Sequence, residues 1–243
     1  SLYEMTEALY GRLDAIEVFA ADVAHEIKNP LTSLRSALES IERTEDPAQK
    51  ARLMAVMAHD VVRMDRLISD ISNASRVDAE LAREEFESFD LVVLLQTLIT
   101  MRQSDAGVPG PKLELQLDPG VAIVIEGLPS RLGQVVDNMI GNAMSFSLGE
   151  GTIRLSLERQ GVTAQLVVED DGPGIPPGQE EAVFRRFYSQ RPAGEAFGQH
   201  SGLGLSICRQ IIEAHGGTIT ASNRHGPGGA VQGARFTVRL PLP

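Results

Sequence analysis

The segment Phe19-Ala-Ala-Asp-Val-Ala-His25-Glu26-Ile27-Lys28-Asn29-Pro30-Leu31 sets a histidine, a carboxylate and a carboxamide close together along one helical turn. His25 falls off the stripe formed by Val23, Ile27 and Leu31, so on an ideal helix its imidazole faces outward. One ring nitrogen can then attack an electrophile such as a phosphoryl group, with Glu26 placed to take the proton from the other. Asn29 lies four residues beyond His25, so both side chains reach the same small volume, where an amide can orient a water molecule. Pro30 removes a backbone donor and should bend the helix just past the histidine. Taken alone, His25 reads more readily as a solvated surface residue than as a nucleophile.

Three further constellations suit a nucleotide. Asn138 and Asn142 lie one turn apart, opposite the apolar face of Val135, Met139 and Ile140; carboxamide oxygens are hard ligands of the kind Mg²⁺ accepts beside water and phosphate. Val167-Val168-Glu169-Asp170-Asp171-Gly172-Pro173-Gly174 runs a buried strand into a glycine turn. The carboxylate at its end can accept a hydrogen bond from an exocyclic amine such as that of adenine, and Gly172 and Gly174 let backbone approach a ligand. His200-Ser201-Gly202-Leu203-Gly204-Leu205 opens a helix, exposing N–H groups and the positive dipole end to phosphates. It is not the dinucleotide fingerprint, because Ile207 stands where the third glycine would be and no strand immediately precedes it. The polar stretch 188–201 between the two glycine motifs reads as a mobile lid.

These residues need elements to hold them, and the uneven glycines show where those elements lie. From Arg12 to Glu85 there is no glycine, and only Pro30 and Pro47 interrupt. Phe19, Val23, Ile27, Leu31, Leu34, Leu38 and Ile41 recur at helical spacing, as do Leu53, Met57, Val61, Met64, Leu67 and Ile71. Two long amphipathic helices are predicted, turning at 43–46, with Asp46 as cap, Pro47 in the first helical position and Gln49 closing a capping box. Such a hairpin cannot enclose a core alone, so it should pair with a second copy as a four-helix bundle; a coiled-coil spacer has the same periodicity.

Beyond residue 80 the texture changes. Helices are predicted over 91–101, 129–146 and 203–215, and strands over 112–117, 122–126, 152–158, 163–169, 218–222 and 235–240. This mixture predicts an α+β sandwich with helices on one face of a sheet. The division expected is a hairpin over 1–78, a charged linker over 79–85 and a second domain over 86–243.

With 243 residues, 42% hydrophobic and 23% charged, the chain has material for one or two cores. A net charge of −11 opposes nucleic acid and anionic membrane surfaces as partners. The single cysteine, Cys208, excludes an intramolecular disulfide and a multi-cysteine zinc site. Apolar runs such as 91–95 are far short of the ~20 residues that span a bilayer. Because the chain begins at Ser1, it is expected to be a piece of a longer protein with its membrane part upstream, making no direct membrane contact itself.

In this order and spacing, the four constellations resemble the catalytic core of a two-component sensor histidine kinase. Phe19–Leu34 is similar to the H-box, 134–146 to the N-box, 170–174 to the first glycine box, 183–188 to the F-box and 202–205 to the second glycine box; Gly233-Ala-Arg-Phe236 resembles a third, weaker box. The H-box wording is similar to that of the ChvG/ExoS type of envelope sensor. The resemblance implies a dimeric hairpin carrying the phosphorylated His25, followed by an ATP-binding domain of the GHKL (Bergerat) type. It implies Glu26 as proton acceptor and Asn29 as the residue that orients water when the partner is dephosphorylated. Asn142 matches the Mg²⁺ ligand and Asn138 a position near the phosphates. Asp170 matches the adenine-reading carboxylate, and Phe146 a lining residue of the nucleoside pocket. Tyr188 of the F-box and Gly202, Leu203, Gly204 and Leu205 of the second glycine box complete the cofactor site with Gly172 and Gly174. The implied partners are a second copy and a response-regulator receiver domain, and the implied location is the cytoplasmic side of an inner-membrane sensor. An ATP-binding scaffold acting mainly as regulator phosphatase, or a GHKL-type ATPase, are the alternatives.

Three positions depart from the pattern. Ser145 stands where the N-box commonly carries a cation, Arg185 where the F-box is usually acidic, and Ala234 or Arg235 where the third box has a small hydroxyl residue. Arg186 or Arg191 is expected to supply the missing positive charge.

Overall fold

At Arg43 the first helix, α1 (Leu2–Arg43), ends, and after three intervening residues α2 (Pro47–Leu81) begins. The computed structural model describes residues 2–81, 83–104, 110–117, 120–147, 151–188 and 201–243. Asp46 caps α2 as its sequence predicts, Oδ1 accepting from the Ala48 N–H at 3.0 Å. The reciprocal capping box does not close: Gln49 Oε1 accepts from the Thr44 hydroxyl at 2.6 Å, and the Asp46 N–H donates to that hydroxyl at 3.4 Å. Pro30 is buried inside an uninterrupted α1. The apolar stripes are only half covered, with Leu31, Leu38, Val61 and Ile68 each about half exposed. Among the described residues no helix is long and apolar enough to cross a membrane.

The chain forms two units, a helical one up to Asn73 and a second made of Ala74–Gly194 with Gly202–Pro243. The helix α2 runs three residues into the segment read from sequence as linker. In the second unit β1 (Glu87–Asp90) leads into α3 (Leu91–Ser104), followed by β2 (Lys112–Leu117), β3 (Val124–Gly127) and α4 (Pro129–Phe146). Then come β4 (Thr152–Gln160), β5 (Thr163–Glu169), a 3₁₀ turn (Ala182–Phe184), α5 (Gly204–Ala214), β6 (Thr218–His225) and β7 (Val231–Pro241). The strand order is β2-β4-β5-β7-β6, with β2 parallel to β4 and the other pairs antiparallel, and β1 pairs with β3 in a separate ladder.

Alternation along β4 buries Ile153, Leu155 and Leu157 in the core against the apolar face of α4 (Val135, Met139, Ile140), while α5 buries Ile207, Ile211 and Ile212 where it packs on α4 and β6. Cys208 lies in that core, its thiol donating to the Val135 carbonyl at 3.6 Å; full burial pushes it up to about 12, so it serves as a small apolar residue.

A buried imidazole ties the helical layer to β3. His215 Nδ1 is 2.7 Å from the Ile211 carbonyl, and Nε2 accepts from the Leu128 N–H at 3.0 Å, a pairing that requires the neutral ring with its proton on Nδ1. Phe86 stacks on it with ring centroids 4.7 Å apart. Burial lowers the His215 pKa, and the Ile211 bond only partly opposes this. A lowered folded value means the unfolded chain binds the extra proton, so this contribution is intact above ~6.5 and lost as pH falls below it. Urea titrations at pH 7.5 and 5.5 should show wild type losing stability in acid, while His215→Gln starts lower and changes less.

At Gly233 the backbone has φ of +147°, and an added Cβ would collide with the Asp170 carbonyl oxygen. The strands would have to part where Asp170 and Ala234 exchange hydrogen bonds. Gly233→Ala should cost about 3 kcal/mol. The Tm of the second unit should then fall by roughly 6–12 °C, readable by calorimetry.

Candidate functional site

On α1, His25 is exposed, as the stripe predicts, and so is Asn29 one turn on. Glu26 is half-buried and turned toward α2, where its Oε2 accepts from Arg63 Nη2 at 3.1 Å. Sequence reading gave Arg63 no role, because it lies 37 residues from its partner and nothing local marks it.

In the second unit, α4 is the spine of the candidate nucleotide site. Asn138, Asn142 and Phe146 recur every four residues, forming a polar-to-aromatic stripe about 12 Å long. At one end the Phe146 carbonyl oxygen lies 2.8 Å from where a Gly172 Cβ would be. At the other, Asn138 Nδ2 donates to the Gly204 carbonyl at 3.3 Å. One helix face therefore touches both glycine motifs, with Asn142 between them. Any side chain at Gly172 would push into α4, which is why the glycine is needed there.

The carboxylate of Asp170 is only 3% exposed. Its Oδ1 accepts from the Gly172 N–H and the Ala234 N–H, both at 2.9 Å. Two main-chain donors fix one oxygen and aim the other, which has no hydrogen-bond partner among the described residues. Burial raises the Asp170 pKa, opposed by the Ala234 and Gly172 bonds and by Arg224. The small hydroxyl absent at Ala234 is not needed for this anchor, since the main chain makes it in both directions: the Asp170 N–H also donates to the Ala234 carbonyl at 3.1 Å.

Beneath this carboxylate lies a scaffold that sequence reading missed. Asp171 accepts from Arg154 at 2.8 Å and from the Thr152 N–H at 2.9 Å, and it pairs with Arg224. Burial works against its ionisation, but the Arg154 and Thr152 hydrogen bonds and the Arg224 charge outweigh it and lower its pKa. Arg224 Nη2 also reaches the Gln232 carbonyl at 2.7 Å. Asn223 clamps the glycine turn, accepting from the Ile175 N–H at 2.6 Å and donating to its carbonyl at 2.7 Å. Gly174, at φ +77°, packs so tightly there that a Cβ would meet Asn223 Oδ1 at 2.6 Å.

The helix α5 starts at Gly204 with no side-chain cap; Leu203 is buried just before its first turn and Leu205 is half-buried. Gly202 has φ +75°; the Phe187 N–H donates to its carbonyl at 3.0 Å, and a Cβ would meet the Tyr188 carbonyl at 2.8 Å. The two ends of the predicted lid are thus joined. The lid itself, including Arg191, lies outside the described residues. Arg186 is exposed at the lid's first end. Tyr188 is half-buried, its hydroxyl without a hydrogen-bond partner among the described residues. Arg209 of α5 holds the 3₁₀ turn, pairing with Glu181 at 2.9 Å and stacking on Phe184 at 4.1 Å.

No group of three or more His, Cys, Asp or Glu among the described residues could hold a metal. A hard cation would fall to the half-buried carboxamide of Asn142 together with phosphate oxygens, a donor set that fits Mg²⁺ and not zinc.

Residues 15–80 match the His Kinase A (phospho-acceptor) domain family, and 127–243 match the family described as histidine kinase-, DNA gyrase B-, and HSP90-like ATPases. The chain is 49% identical to sensor protein ChvG of Rhizobium meliloti (strain 1021) over 99% of its own length and 43% of the relative's. It is 50% identical to sensor protein ChvG of Agrobacterium fabrum (strain C58 / ATCC 33970), over 99% of its own length and 41% of the relative's. The chain therefore spans less than half the length of these curated relatives. Among solved structures, histidine kinase ThkA in complex with response regulator protein TrrA aligns with a TM-score of 0.69 and 26% identity, over 96% of this chain and 63% of that one.

Proposed function

Since the chain belongs to the sensor histidine kinases by both of its matched domains, we propose that it is the autokinase core of such a protein, transferring the γ-phosphoryl group of ATP to His25. One ring nitrogen forms the bond to phosphorus, the bond to the ADP oxygen breaks with its electron pair leaving on ADP, and the proton on the other ring nitrogen passes to Glu26. The phosphoryl group then goes to an aspartate of a receiver domain. The ThkA structure, a complex with a response regulator, supports a partner of that class. Asn29, exposed one turn from His25, orients the water that returns the regulator to its unphosphorylated state.

What supports the nucleotide reading best is the α4 stripe, which touches both glycine motifs and carries Asn142 between them. Asp170 reads the adenine amine with its free oxygen, and Gly172, Gly174 and Phe146 shape the nucleoside pocket. The α5 N-terminus at Gly202, Leu203, Gly204 and Leu205 receives phosphates beside Asn138, with Tyr188 closing the edge and Arg186 supplying a cation in place of the one lacking at Ser145. Asn142 would hold Mg²⁺, which would supply positive charge to the phosphates. The half-exposed Leu31, Leu38, Val61 and Ile68 of the hairpin are buried against a second copy in a four-helix bundle. We place this core on the cytoplasmic side of an inner-membrane sensor, in keeping with its similarity to the ChvG sensor proteins.

Incubation with Mg²⁺ and γ-labelled ATP tests the reading. Label should join the protein; release of labelled inorganic phosphate with none retained on the chain would support a GHKL-type ATPase instead.

A further inference from the structure

We propose that Arg63 is an exchangeable cation that holds Glu26 in one state of the hairpin and releases it in another by moving to Asp60. The inference rests on the reading of Glu26 as proton acceptor for His25, and it supplies the regulation of that site.

The observed pairing has Arg63 Nη2 on Glu26 Oε2 at 3.1 Å, with the two side chains 19% and 25% exposed. Held on Arg63 across the hairpin, Glu26 is turned toward α2 and away from its own helix neighbour, so this state withholds it from His25. Neighbours at i and i+1 on a helix do not face each other, so Glu26 must also be free to swing if it is to reach the histidine beside it.

The second observation lies one turn back along α2. Asp60 is only 7% exposed, and its Oδ2 is buried with no hydrogen-bond partner among the described residues. A buried carboxylate oxygen left unsatisfied is costly, and native proteins seldom keep one without a use for it. Asp60 and Arg63 are three residues apart, so their side chains share a face of α2. In an antiparallel hairpin, one turn forward along α1 matches one turn back along α2. The Glu26–Arg63 contact therefore brings Asp60 near Pro30, which is likewise buried.

Arg63 thus has two carboxylates within the reach of a long side chain whose fork of donors can leave one and engage the other. Exchange trades one ion pair for another on the same hairpin, which gives the two arrangements a switch requires. In the released state Asp60 is satisfied and Glu26 can take the proton. Small shifts of α2 against α1 would bias the choice.

The test uses the whole chain with Mg²⁺ and γ-labelled ATP, reading the initial rate of labelling at saturating ATP and the KM for ATP. Asp60→Asn removes the alternative carboxylate and leaves Arg63 on Glu26; labelling should slow about tenfold with KM unchanged. Arg63→Ala should label at least as fast as wild type, and the double variant should match Arg63→Ala within about twofold, because Asp60 acts only through Arg63. Arg63→Lys should restore sensitivity to Asp60→Asn. The proposal is overturned if Asp60→Asn slows labelling equally with and without Arg63, or if Arg63→Ala alone is slower than wild type, a result that stands even should Asp60→Asn fail to fold. A wild-type chain that takes no label, or Glu26→Gln labelling at the wild-type rate, would instead remove the reading of the site on which the exchange rests.

Discussion

Asp170→Asn is expected to weaken ATP binding about 30- to 100-fold while leaving the second unit folded. The asparagine Oδ1 can keep both main-chain bonds, from Gly172 and Ala234. Its amide then occupies the place of the aimed carboxylate oxygen and presents N–H groups to the adenine amine, donor against donor. Losing a charged acceptor and leaving a donor unmet costs about 2–3 kcal/mol. Folding should not suffer, because burial raises the Asp170 pKa and makes its ionised form a cost that is absent below the unfolded pKa and grows as pH rises through the folded one. A neutral amide escapes that cost, so thermal unfolding should show a Tm equal to or slightly above that of wild type. Calorimetric titration with ATP and GTP adds a sharper reading: the variant should lose its preference for ATP, since the guanine oxygen is an acceptor for the new donor. Unchanged ATP affinity would place the adenine elsewhere.

The strength of that expectation comes from contacts that no local pattern contains. The Asp170 carboxylate and its glycine turn stand out in the sequence, as do the asparagines of α4, because strand, turn and helix signals fall within a few residues of each other. Their support does not. Ala234 lies 64 residues from Asp170, and Asn223 lies 48 residues from Ile175. In sequence, Asn223 and Arg224 look like ordinary members of the polar and glycine-rich run that follows the strand predicted over 218–222, although β6 extends through both. Arg224 becomes meaningful only when β6 and β7 bring it under Asp171.

Long elements with strong periodicity were legible for the same reason that some short ones were not. The spans 129–146 and 163–169 coincide with α4 and β5. The strand β1 escaped because Glu87-Ser-Phe-Asp shows no alternation and is held only by its pairing with β3. Predicted to begin at 235, β7 in fact begins at Val231. Gly233 reads as a breaker, yet the strand keeps it because no other residue lets β7 approach the Asp170 carbonyl. The outward face of His25 followed from helical spacing alone, whereas the engagement of Glu26 by Arg63 required the second helix.

The second large effect concerns His25 itself. Glu26 takes a proton and the other residues position, charge or orient; only the imidazole forms a bond to phosphorus, so no neighbour can substitute for it. Replacing it with glutamine keeps an exposed polar side chain on α1 and leaves the ATP site of the second unit untouched. His25→Gln should therefore bind ATP with the affinity of wild type and take up no label at all. The decisive measurement is γ-phosphoryl labelling of wild type and His25→Gln in parallel with Mg²⁺, followed by acid and alkali treatment of the labelled chain. Phosphorylation of His25 requires label on wild type that survives alkali and is released by acid, as a phosphorus–nitrogen bond does, and none on the variant. Label of the same stability persisting on His25→Gln would contradict it.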